Sequence, residues 1–207
     1  YKIPFLCGKF ILNDRLKILK NIAILISGTG SNMEAIINDT LSNDHPGIVK
    51  FVLSNRSDAL GLLKAKKLGI KTYVFPINRT NSLENFEKKL LKLLIKENID
   101  LLCLAGFMKI LSKKFIRSFK RQIINIHPSL LPKYKGLNTF QRALKSNDKL
   151  TGCTVHFVNE KLDSGKTIIK KRVNINNDDN IETLKKKVQF EEYRAYSSAI
   201  RKIYSFS

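Results

Sequence analysis

The chain has 207 residues, of which 43% are hydrophobic and 27% are charged. These values are typical of one globular domain with its own core, and they exclude wholesale disorder and a fibrous repeat. The longest apolar runs fall far short of the roughly 20 residues that span a bilayer, so we expect no membrane partner. Cys7, Cys103 and Cys153 form no closely spaced pair, which disfavours a disulfide framework or a zinc site and favours the cytoplasm.

The charge of the chain is unusual, because 38 Lys and Arg residues against 17 Asp and Glu residues give a formal net charge of +21. One interpretation is a nucleic-acid-binding surface. The other is drift in composition, because the lysines are scattered along the chain and the longest basic run is Lys185–Lys187. We favour drift and expect no nucleic acid partner, although a field of this sign attracts phosphorylated substrates.

Residues 1–20 are basic and apolar without a clean period, and they lack the full set of signals of a targeting leader. We interpret them as an N-terminal extension of unknown role, which precedes a domain at 21–207. Within that domain, apolar runs typical of strands alternate with helical patterns. This alternation predicts a single-domain α/β fold, with a mostly parallel twisted sheet, helices on both faces and a Rossmann-like N-terminal half.

The predicted elements follow one another without a linker or an internal repeat. The strands are predicted at Ile22–Ile26, Ile48–Leu53, Thr72–Phe75, Leu101–Leu104, Ile123–Ile126, Thr154–Val158 and Thr167–Val173. The helices are predicted at Met33–Asp39, Ala59–Leu68, Leu83–Glu97, Lys113–Phe119, Thr139–Leu144 and from about Ile181 onwards. The polar turn before Ile181, which reads Asp-Asp-Asn, is typical of a helix cap.

The first predicted strand is followed by Ser-Gly-Thr-Gly-Ser-Asn and then by a helix. Glycine allows a tight turn, and the free N–H groups at a helix start hold phosphate. Met33 stands where a dinucleotide fingerprint needs its third glycine, and no Gly-Lys-Ser/Thr follows, so neither that fingerprint nor a Walker loop is present. An ordinary turn remains an alternative, but the position after the first strand favours a phosphate site.

Two polar residues end the fifth predicted strand, because Asn125 and His127 are two positions apart and point to the same face. An Asn amide can donate to a developing oxyanion, and a His can donate or accept a proton near neutrality. The alternative is a capped strand end with a structural histidine.

A third feature follows the sixth predicted strand, where alternation puts Thr154, His156 and Val158 on one face and the next turn carries Asp163. A carboxylate near an imidazole favours its charged form. Taken alone, the Asp-Ser-Gly sequence at Asp163 is also ordinary turn chemistry. We interpret His156 as structural or as orienting its neighbours, and we assign no role to His45. These scattered groups form no metal-ligand set, so we expect no metal.

Four segments in this order carry a family resemblance. They are Gly28-x-Gly30-Ser31-Asn32, the run Ala105-Gly-Phe-Met-Lys-Ile-Leu111, the run Asn125-Ile-His-Pro-Ser-Leu-Leu-Pro132, and His156-Phe-Val-x-x-x-Leu-Asp163. Over about Asn21 to Tyr196, the sequence resembles the phosphoribosylglycinamide formyltransferases, a folate-dependent family of purine (IMP) synthesis. The third segment is highly specific for folate-dependent formyl transfer. The first segment resembles that of the formyltransferases whose acceptor carries a phosphate.

The resemblance implies a metal-independent transfer of the formyl group of the co-substrate 10-formyltetrahydrofolate to the glycyl amine of 5'-phosphoribosylglycinamide, through a tetrahedral intermediate. It implies that Asn125 and protonated His127 stabilise the intermediate's oxygen and that Asp163 holds His127 charged. The folate-binding residues that it implies are Met108, Lys109, Ile110, Leu111, Asn125, Asn159, Glu160, Lys161, Leu162 and Asp163. The nucleotide-binding residues that it implies are Gly30, Ser31, Asn32, Gln189 and Glu192. It also implies a cis peptide bond between Leu131 and Pro132.

The sequence departs from the family at three positions. Phe140 stands where relatives commonly carry His, and Tyr193 and Ser197 replace a common His and Pro. Three alternatives stay open: transfer to methionyl-tRNA, hydrolysis of the formyl-folate, and a basic nucleic-acid-binding derivative of the fold. The first two families carry a further C-terminal domain or an N-terminal regulatory domain, which we do not expect here. We expect a monomer or a weak homodimer.

Overall fold

The computed structural model describes residues 9–12 and 15–204. Its strands, in chain order, are β1 (Lys9–Leu12), β2 (Arg15–Ile18), β3 (Lys20–Ile26), β4 (Gly47–Ser54), β5 (Lys71–Val74), β6 (Leu101–Leu104), β7 (Gln122–His127), β8 (Leu150–Phe157) and β9 (Thr167–Asn174). Its helices are α1 (Ser31–Thr40), α2 (Leu60–Lys67), α3 (Leu83–Lys96), α4 (Lys113–Ser118), α5 (Thr139–Lys145) and α6 (Ile181–Tyr204). None of these helices is long and apolar enough to cross a membrane.

Seven of the strands form one sheet in the order β5-β4-β3-β6-β7-β8-β9. The pairs from β5 to β7 are parallel, and β8 and β9 are added antiparallel. The strand order reverses at β3, which lies between β4 and β6. The carboxyl ends of β3 and β6 therefore border the kind of crevice in which open α/β sheets bind ligands. The predicted mostly parallel sheet is confirmed.

Helices cover both faces of the sheet, as predicted. Along β3, Ile22, Ile24 and Ile26 point to one face, where they pack with α1, α2 and α6, whereas Ala23 and Leu25 point to the other face, where they pack with α3 and α4. All five side chains are fully buried. This pattern follows from the strand's period of two residues, and it explains why the run is continuously apolar.

The last helix, α6, packs against the central strands of the sheet. Its cap was predicted from the polar turn, and the Asn180 side chain accepts hydrogen bonds from the N–H groups of Glu182 and Thr183, at 2.9 and 3.0 Å. The buried Tyr196 hydroxyl lies 3.1 Å from the Leu104 carbonyl and 3.2 Å from that of Ile124. This contact fixes α6 against β6 and β7.

The largest error in the predicted boundaries concerns β8, which begins at Leu150 rather than at Thr154 and ends at Phe157, before Val158. Gly152 interrupts the apolar pattern that would have shown the earlier start. A Cβ atom at Gly152 would lie 1.9 Å from the Lys171 carbonyl oxygen of β9, so the close approach of the two strands requires glycine there. A register shift also follows Val155, where β9 carries one extra residue, but Cys153, Val155 and Phe157 still pack in one core cluster, as the alternation predicted.

The predicted extension at 1–20 lies partly outside the described residues, which exclude 1–8, 13–14 and the chain end at 205–207. Its described part forms β1 and β2, an antiparallel pair that is separate from the seven-stranded sheet and was not predicted. Lys20 belongs to β3, because it pairs with Gly47 and its N–H donates to the Pro46 carbonyl at 2.9 Å. The sheet therefore begins one residue earlier than the predicted domain.

Candidate active site

A cavity of about 710 Å³ lies at the carboxyl ends of β6, β7 and β8. Its walls come from residues 106–111 after β6, 125–128 at the end of β7, 136–141 before and within α5, and 158–163 after β8, together with Leu104, Ile116, His156 and the start of α6. A cavity of this size accommodates a drug-sized ligand or cofactor. All ten residues that the resemblance assigns to folate line it: Met108, Lys109, Ile110, Leu111, Asn125, Asn159, Glu160, Lys161, Leu162 and Asp163.

The mouth of the cavity is apolar. Met108 and Ile110 are each 68% exposed and Leu137 is 75% exposed, although all three are large hydrophobic side chains that line the cavity. Leu111, in contrast, is buried and packs in the protein core. Large side chains left uncovered around a concave surface are typical of a ligand-binding rim.

The charged groups of the cavity are mainly cationic, because Lys109, Lys161 and Lys185 line it. Of the two acidic lining residues, Glu160 and Asp163, Glu160 is paired with Arg117 through two hydrogen bonds of 2.5 and 2.8 Å. The Arg117 guanidinium lowers the pKa of this carboxyl. The lysines therefore favour an anionic ligand in the cavity.

Strand β7 brings Asn125 and His127 to the cavity wall together, as their spacing predicted. The His127 ring is nearly buried, and its Nε2 atom lies 2.8 Å from the Tyr134 carbonyl oxygen. Its Nδ1 atom lies 3.4 Å from Oδ2 of Asp163. Both ring nitrogens thus face acceptor oxygens, and a ring that donates to both carries a positive charge.

Asp163 reaches this wall from the loop after β8, where its backbone has a φ of +45°. Its Oδ2 accepts a hydrogen bond of 2.9 Å from the Gly136 N–H, which connects it to the loop before α5. Its Oδ1 lies 3.7 Å from Nε2 of His156. The carboxylate therefore stands between the two histidines, and its side chain is only 7% exposed.

His156 lies behind Asn125. Its Nδ1 donates to the Phe157 carbonyl at 2.9 Å, and its Nε2 lies 3.4 Å from the Asn125 amide nitrogen. Burial lowers the pKa of His156, which favours a neutral ring with its proton on Nδ1. Nε2 can then accept one amide hydrogen of Asn125, and the second amide hydrogen remains available to the cavity.

The loop between β3 and α1 turns tightly at a glycine. Gly30 precedes α1 with a φ of +70°, and a Cβ atom there would lie 2.8 Å from the Cα atom of Gly61. The Gly61 N–H in turn donates to the Gly28 carbonyl at 3.0 Å. Both the backbone conformation and the packing against α2 therefore require glycine at position 30.

The five residues that the resemblance assigns to the nucleotide form one cluster, although about 160 positions separate the loop from α6. The Gln189 amide donates to the Ser31 hydroxyl at 2.8 Å, and the Asn32 amide donates to Glu192 at 2.9 Å. Burial raises the pKa of the Glu192 carboxyl. Among the described residues, no group bonds the buried Oδ1 atom of Asn32.

The cavity and this nucleotide cluster (Gly30, Ser31, Asn32, Gln189 and Glu192) adjoin where the strand order reverses. The Ser27 hydroxyl at the end of β3 accepts a hydrogen bond from the Met108 N–H at 2.8 Å and donates to Asn55 at 2.6 Å. Lys185, which lines the cavity, precedes Gln189 by one turn of α6. The role of Ser27 was not predicted, because a serine directly after a strand is common and its local sequence does not indicate a contact with Met108 or Asn55.

His45, to which the sequence assigned no role, has structural contacts. His45 is buried, and its Nδ1 lies 2.8 Å from the carbonyl oxygen and 3.0 Å from the amide nitrogen of Gly47. Its Nε2 lies 3.4 Å from Asp39, which also pairs with Arg201 of α6 at 2.9 Å. The burial depends on the packing of α6 against the end of α1, which the local sequence does not show.

The departures from the family pattern lie at different depths. Phe140 borders the cavity and packs against the core, whereas Tyr193 and Ser197 are half-buried on α6, away from the lining.

The Leu131–Pro132 peptide bond is cis, as the resemblance implied. Cys103 and Cys153 are buried, and burial raises the pKa of the Cys153 thiol to about 12. Across residues 9–12 and 15–204, no group of three or more His, Cys, Asp and Glu side chains is arranged to hold a metal ion.

Comparisons with known proteins agree with this geometry. The formyl transferase family model matches residues 20–200. Phosphoribosylglycinamide formyltransferase of Haemophilus influenzae is 44% identical over 88% of this chain and 86% of its own length. The trifunctional purine biosynthetic protein adenosine-3 of Gallus gallus is 40% identical over 89% of this chain, which spans only 18% of that protein.

A solved structure shows the same fold. The phosphoribosylglycinamide formyltransferase of Brucella melitensis superposes with a TM-score of 0.85 at 42% identity, covering 89% of this chain and 95% of its own. Sequence similarity and fold therefore extend over nearly the whole of this chain and of the Haemophilus influenzae and Brucella melitensis proteins. The chain belongs to the formyl transferase family, and these matches place it among the phosphoribosylglycinamide formyltransferases.

Proposed function

We propose that this protein transfers the formyl group of 10-formyltetrahydrofolate to the glycyl amine of 5'-phosphoribosylglycinamide, a step of purine (IMP) synthesis. The family membership supports the reaction class and the formyl-folate co-substrate. The observation that carries the proposal is the convergence of Asn125, His127 and Asp163 on one wall of a cavity large enough for a folate.

The residues at the wall fit a direct transfer. The amine nitrogen attacks the formyl carbon, a C–N bond forms, and the carbonyl oxygen takes up negative charge in a tetrahedral intermediate. The amine then loses a proton, the bond from the carbon to the folate nitrogen breaks, and that nitrogen gains a proton. The second amide hydrogen of Asn125 is the donor for the developing oxyanion, and the positive charge of His127 stabilises it.

His127 and Asp163 act as one unit in this proposal. The Asp163 carboxylate lies 3.4 Å from Nδ1 of His127 and favours the charged ring. A charged imidazole can also release and recover a proton during the two transfers. Both ring nitrogens face protein oxygens, so a direct bond from His127 to the formyl oxygen requires Nε2 to exchange the Tyr134 carbonyl for it.

The nucleotide cluster binds the acceptor. The N–H groups at the start of α1, after Gly30, hold the phosphate, and the helix dipole favours the anion. Asn32, Gln189 and Glu192 contact the rest of the ribonucleotide. The unpaired buried oxygen of Asn32 supports this assignment, because a buried acceptor without a partner is rare unless a ligand supplies one.

This acceptor is favoured over methionyl-tRNA and over water, because the relatives that match most of their own length act on phosphoribosylglycinamide by their names. We keep the expectations that the reaction needs no metal, that the protein works in the cytoplasm, that it is a monomer or a weak homodimer, and that nucleic acid is not its partner.

One assay tests the proposal. The purified protein, treated with a chelator, is mixed with 10-formyltetrahydrofolate and phosphoribosylglycinamide, and the loss of the formyl-folate absorbance and the formylated product are both followed. We expect turnover that requires both substrates. Loss of the formyl group without the ribonucleotide would indicate a hydrolase instead.

The same assay, together with a binding measurement, distinguishes the alternative functions. Methionyl-tRNA replaces the ribonucleotide, and we expect no formyl-methionyl-tRNA. Binding of transfer RNA is measured at about 0.05 and 0.2 M salt, over which purely electrostatic binding falls by orders of magnitude. Tight binding that survived the higher salt would favour the nucleic-acid alternative.

A further inference from the structure

The loop between β7 and α5 contains a tyrosine whose backbone, rather than its hydroxyl, faces His127. The Tyr134 carbonyl oxygen lies 2.8 Å from Nε2 of His127, and the Ser129 hydroxyl lies 3.4 Å from the same oxygen. The φ angle of Tyr134 is +57°. This left-handed conformation is uncommon for residues with bulky side chains, so contacts around Tyr134 must hold it.

The Tyr134 side chain is held on all sides. Its hydroxyl donates to Oδ2 of Asp148 at 2.8 Å, and Asp148 also pairs with Lys133 at 2.7 Å. The Lys133 ammonium lies 5.0 Å and the Arg142 guanidinium 4.9 Å from the ring centre, which are cation–π distances. Arg142 also donates to the Lys135 carbonyl at 2.7 Å, which fixes the next peptide group.

We call the contacts of Tyr134 with Asp148, Lys133 and Arg142 the Tyr134 anchor. The anchor holds the Tyr134 carbonyl oxygen opposite Nε2 of His127. With the Tyr134 carbonyl in place, Nε2 must carry a proton, because a lone pair facing a carbonyl oxygen at 2.8 Å is repulsive. Nδ1 faces the Asp163 carboxylate at 3.4 Å, an ion-pair distance at which a proton on Nδ1 is also favourable. If the carbonyl moved away, a neutral ring with its only proton on Nδ1 could still face Asp163 with that proton, and nothing would require a proton on Nε2.

We propose that Tyr134 is a positioning residue for His127, whose side chain is held by Asp148, Lys133 and Arg142 so that its carbonyl keeps a proton on Nε2. The inference rests on the proposed function, in which a charged His127 faces the formyl oxygen. Tyr134 does not touch substrate in this scheme. It acts only through the imidazole, by favouring the doubly protonated ring.

Two variants test the anchor by kinetics. Tyr134→Phe removes the bond to Asp148 and keeps the ring between the two cations, and we expect kcat to fall about three- to tenfold. Tyr134→Ala removes the ring, and kcat falls further. KM for both substrates stays within about twofold in each variant, because neither pocket loses a contact.

Tyr73 offers a matched control on β5. Its hydroxyl lies 3.3 Å from Glu97, and the Lys71 ammonium lies 5.1 Å from its ring centre, so it has the same kinds of partner. Tyr73 does not line the cavity. Tyr73→Phe should therefore leave kcat unchanged.

The decisive measurement is ¹⁵N NMR of protein labelled at its 3 histidines. We expect protons on both ring nitrogens of His127 in the wild type and loss of the Nε2 proton in Tyr134→Ala. Unchanged His127 resonances in a Tyr134→Ala protein with normal kcat would overturn the inference. Unchanged resonances with a lower melting temperature and a lower kcat would overturn it too, since Tyr134 would then be only structural. Because NMR needs no turnover, absence of formyl transfer in the wild type would refute the proposed function separately.

Discussion

The cavity and the nucleotide cluster are built in different ways. Asn125 and His127 belong to β7, and the folate-assigned residues other than Asn125 lie in two short segments, one after β6 and one after β8. The nucleotide cluster joins the first loop of the sheet to the last helix, through contacts such as the one from Asn32 to Glu192, which are 160 positions apart. The cavity therefore depends mainly on the sheet, whereas the cluster depends on the docking of α6.

The contacts that fix α6 show what this difference means. Arg201 pairs with Asp39 of α1 at 2.9 Å, and His45 lies 3.4 Å from the same carboxylate. We name Asp39, His45 and Arg201 the α1–α6 clamp. A change that loosens the clamp should weaken the binding of the nucleotide before that of the folate, because the cavity takes only the first turn of α6.

The largest effect is expected at the wall of the cavity. His127→Ala and Asp163→Asn should each reduce kcat by about 10²–10⁴, which is the usual contribution of a general acid–base group. The double variant should lose little more than the His127 variant, because the two residues act as one unit. Steady-state kinetics at saturating folate measures all three. A variant that kept wild-type turnover would show that its residue has no part in the chemistry.

The second prediction separates the two regions. Gly30→Val should weaken nucleotide binding by about tenfold or more and folate binding far less, because the side chain crowds the anion and opposes the positive φ. Calorimetry with each ligand separately measures this. Gly69→Val is the matched control, since Gly69 has a φ of +75° and a Cβ atom there would meet no other atom within 4 Å.

The outcomes of the Gly30 experiment differ clearly. A Cβ atom at Gly30 also meets Gly61 at 2.8 Å, so some loss of stability is expected, and the melting temperature must be measured beside the affinities. Equal losses for both ligands would mean that the loop supports the whole fold. A loss confined to folate would mean that the two substrates have been assigned to the wrong regions.

The sequence predicted the sheet and the cavity wall better than the rest, for a physical reason. The two-residue period of Ile22–Ile26 and the spacing of Asn125 and His127 are local patterns, and strand geometry converts them directly into faces. The loop after β3 was predicted as a phosphate site from its own pattern, but its partners on α6 were accessible only through the family resemblance, since no local pattern pairs Asn32 with Glu192. The position of the Tyr134 carbonyl and the burial of His45 were not predicted, because both depend on tertiary packing. The start of β8 was not predicted, because Gly152 interrupts its apolar pattern.

The third prediction compares two histidines, one in each region. Burial lowers the pKa of His156 behind the cavity wall and of His45 in the α1–α6 clamp, below their ordinary value of 6.5. As the pH falls through that value, the unfolded chain binds the protons first, so the folded protein loses stability. The loss continues until the pH reaches the lowered pKa of each folded histidine.

Below about pH 6.5, the free energy of unfolding falls as the pH falls. Replacing either histidine by Gln should reduce the steepness of this fall by up to about 1.4 kcal/mol per pH unit. Urea unfolding at several pH values between about 5 and 7.5 measures it. His45→Gln should raise KM for the nucleotide, whereas His156→Gln should lower kcat through Asn125. Identical acid slopes in the wild type and both variants would contradict the assigned burial of the two rings.

The smallest effect is expected at the beginning of the chain. Removing residues 1–18 takes away β1 and β2, which bond to each other as a sheet separate from the other seven strands. Lys20 must stay, because it pairs with Gly47 in β3 and its ammonium lies 5.8 Å from the centre of the Tyr204 ring of α6. We expect the shortened protein to keep kcat, both KM values and the melting temperature. A matched deletion that also removes Lys20 and Asn21 should lower the melting temperature and weaken nucleotide binding, since it removes the contact that holds the end of α6. If the shorter deletion already had these effects, the two-stranded sheet would belong to the same support of α6 as the clamp.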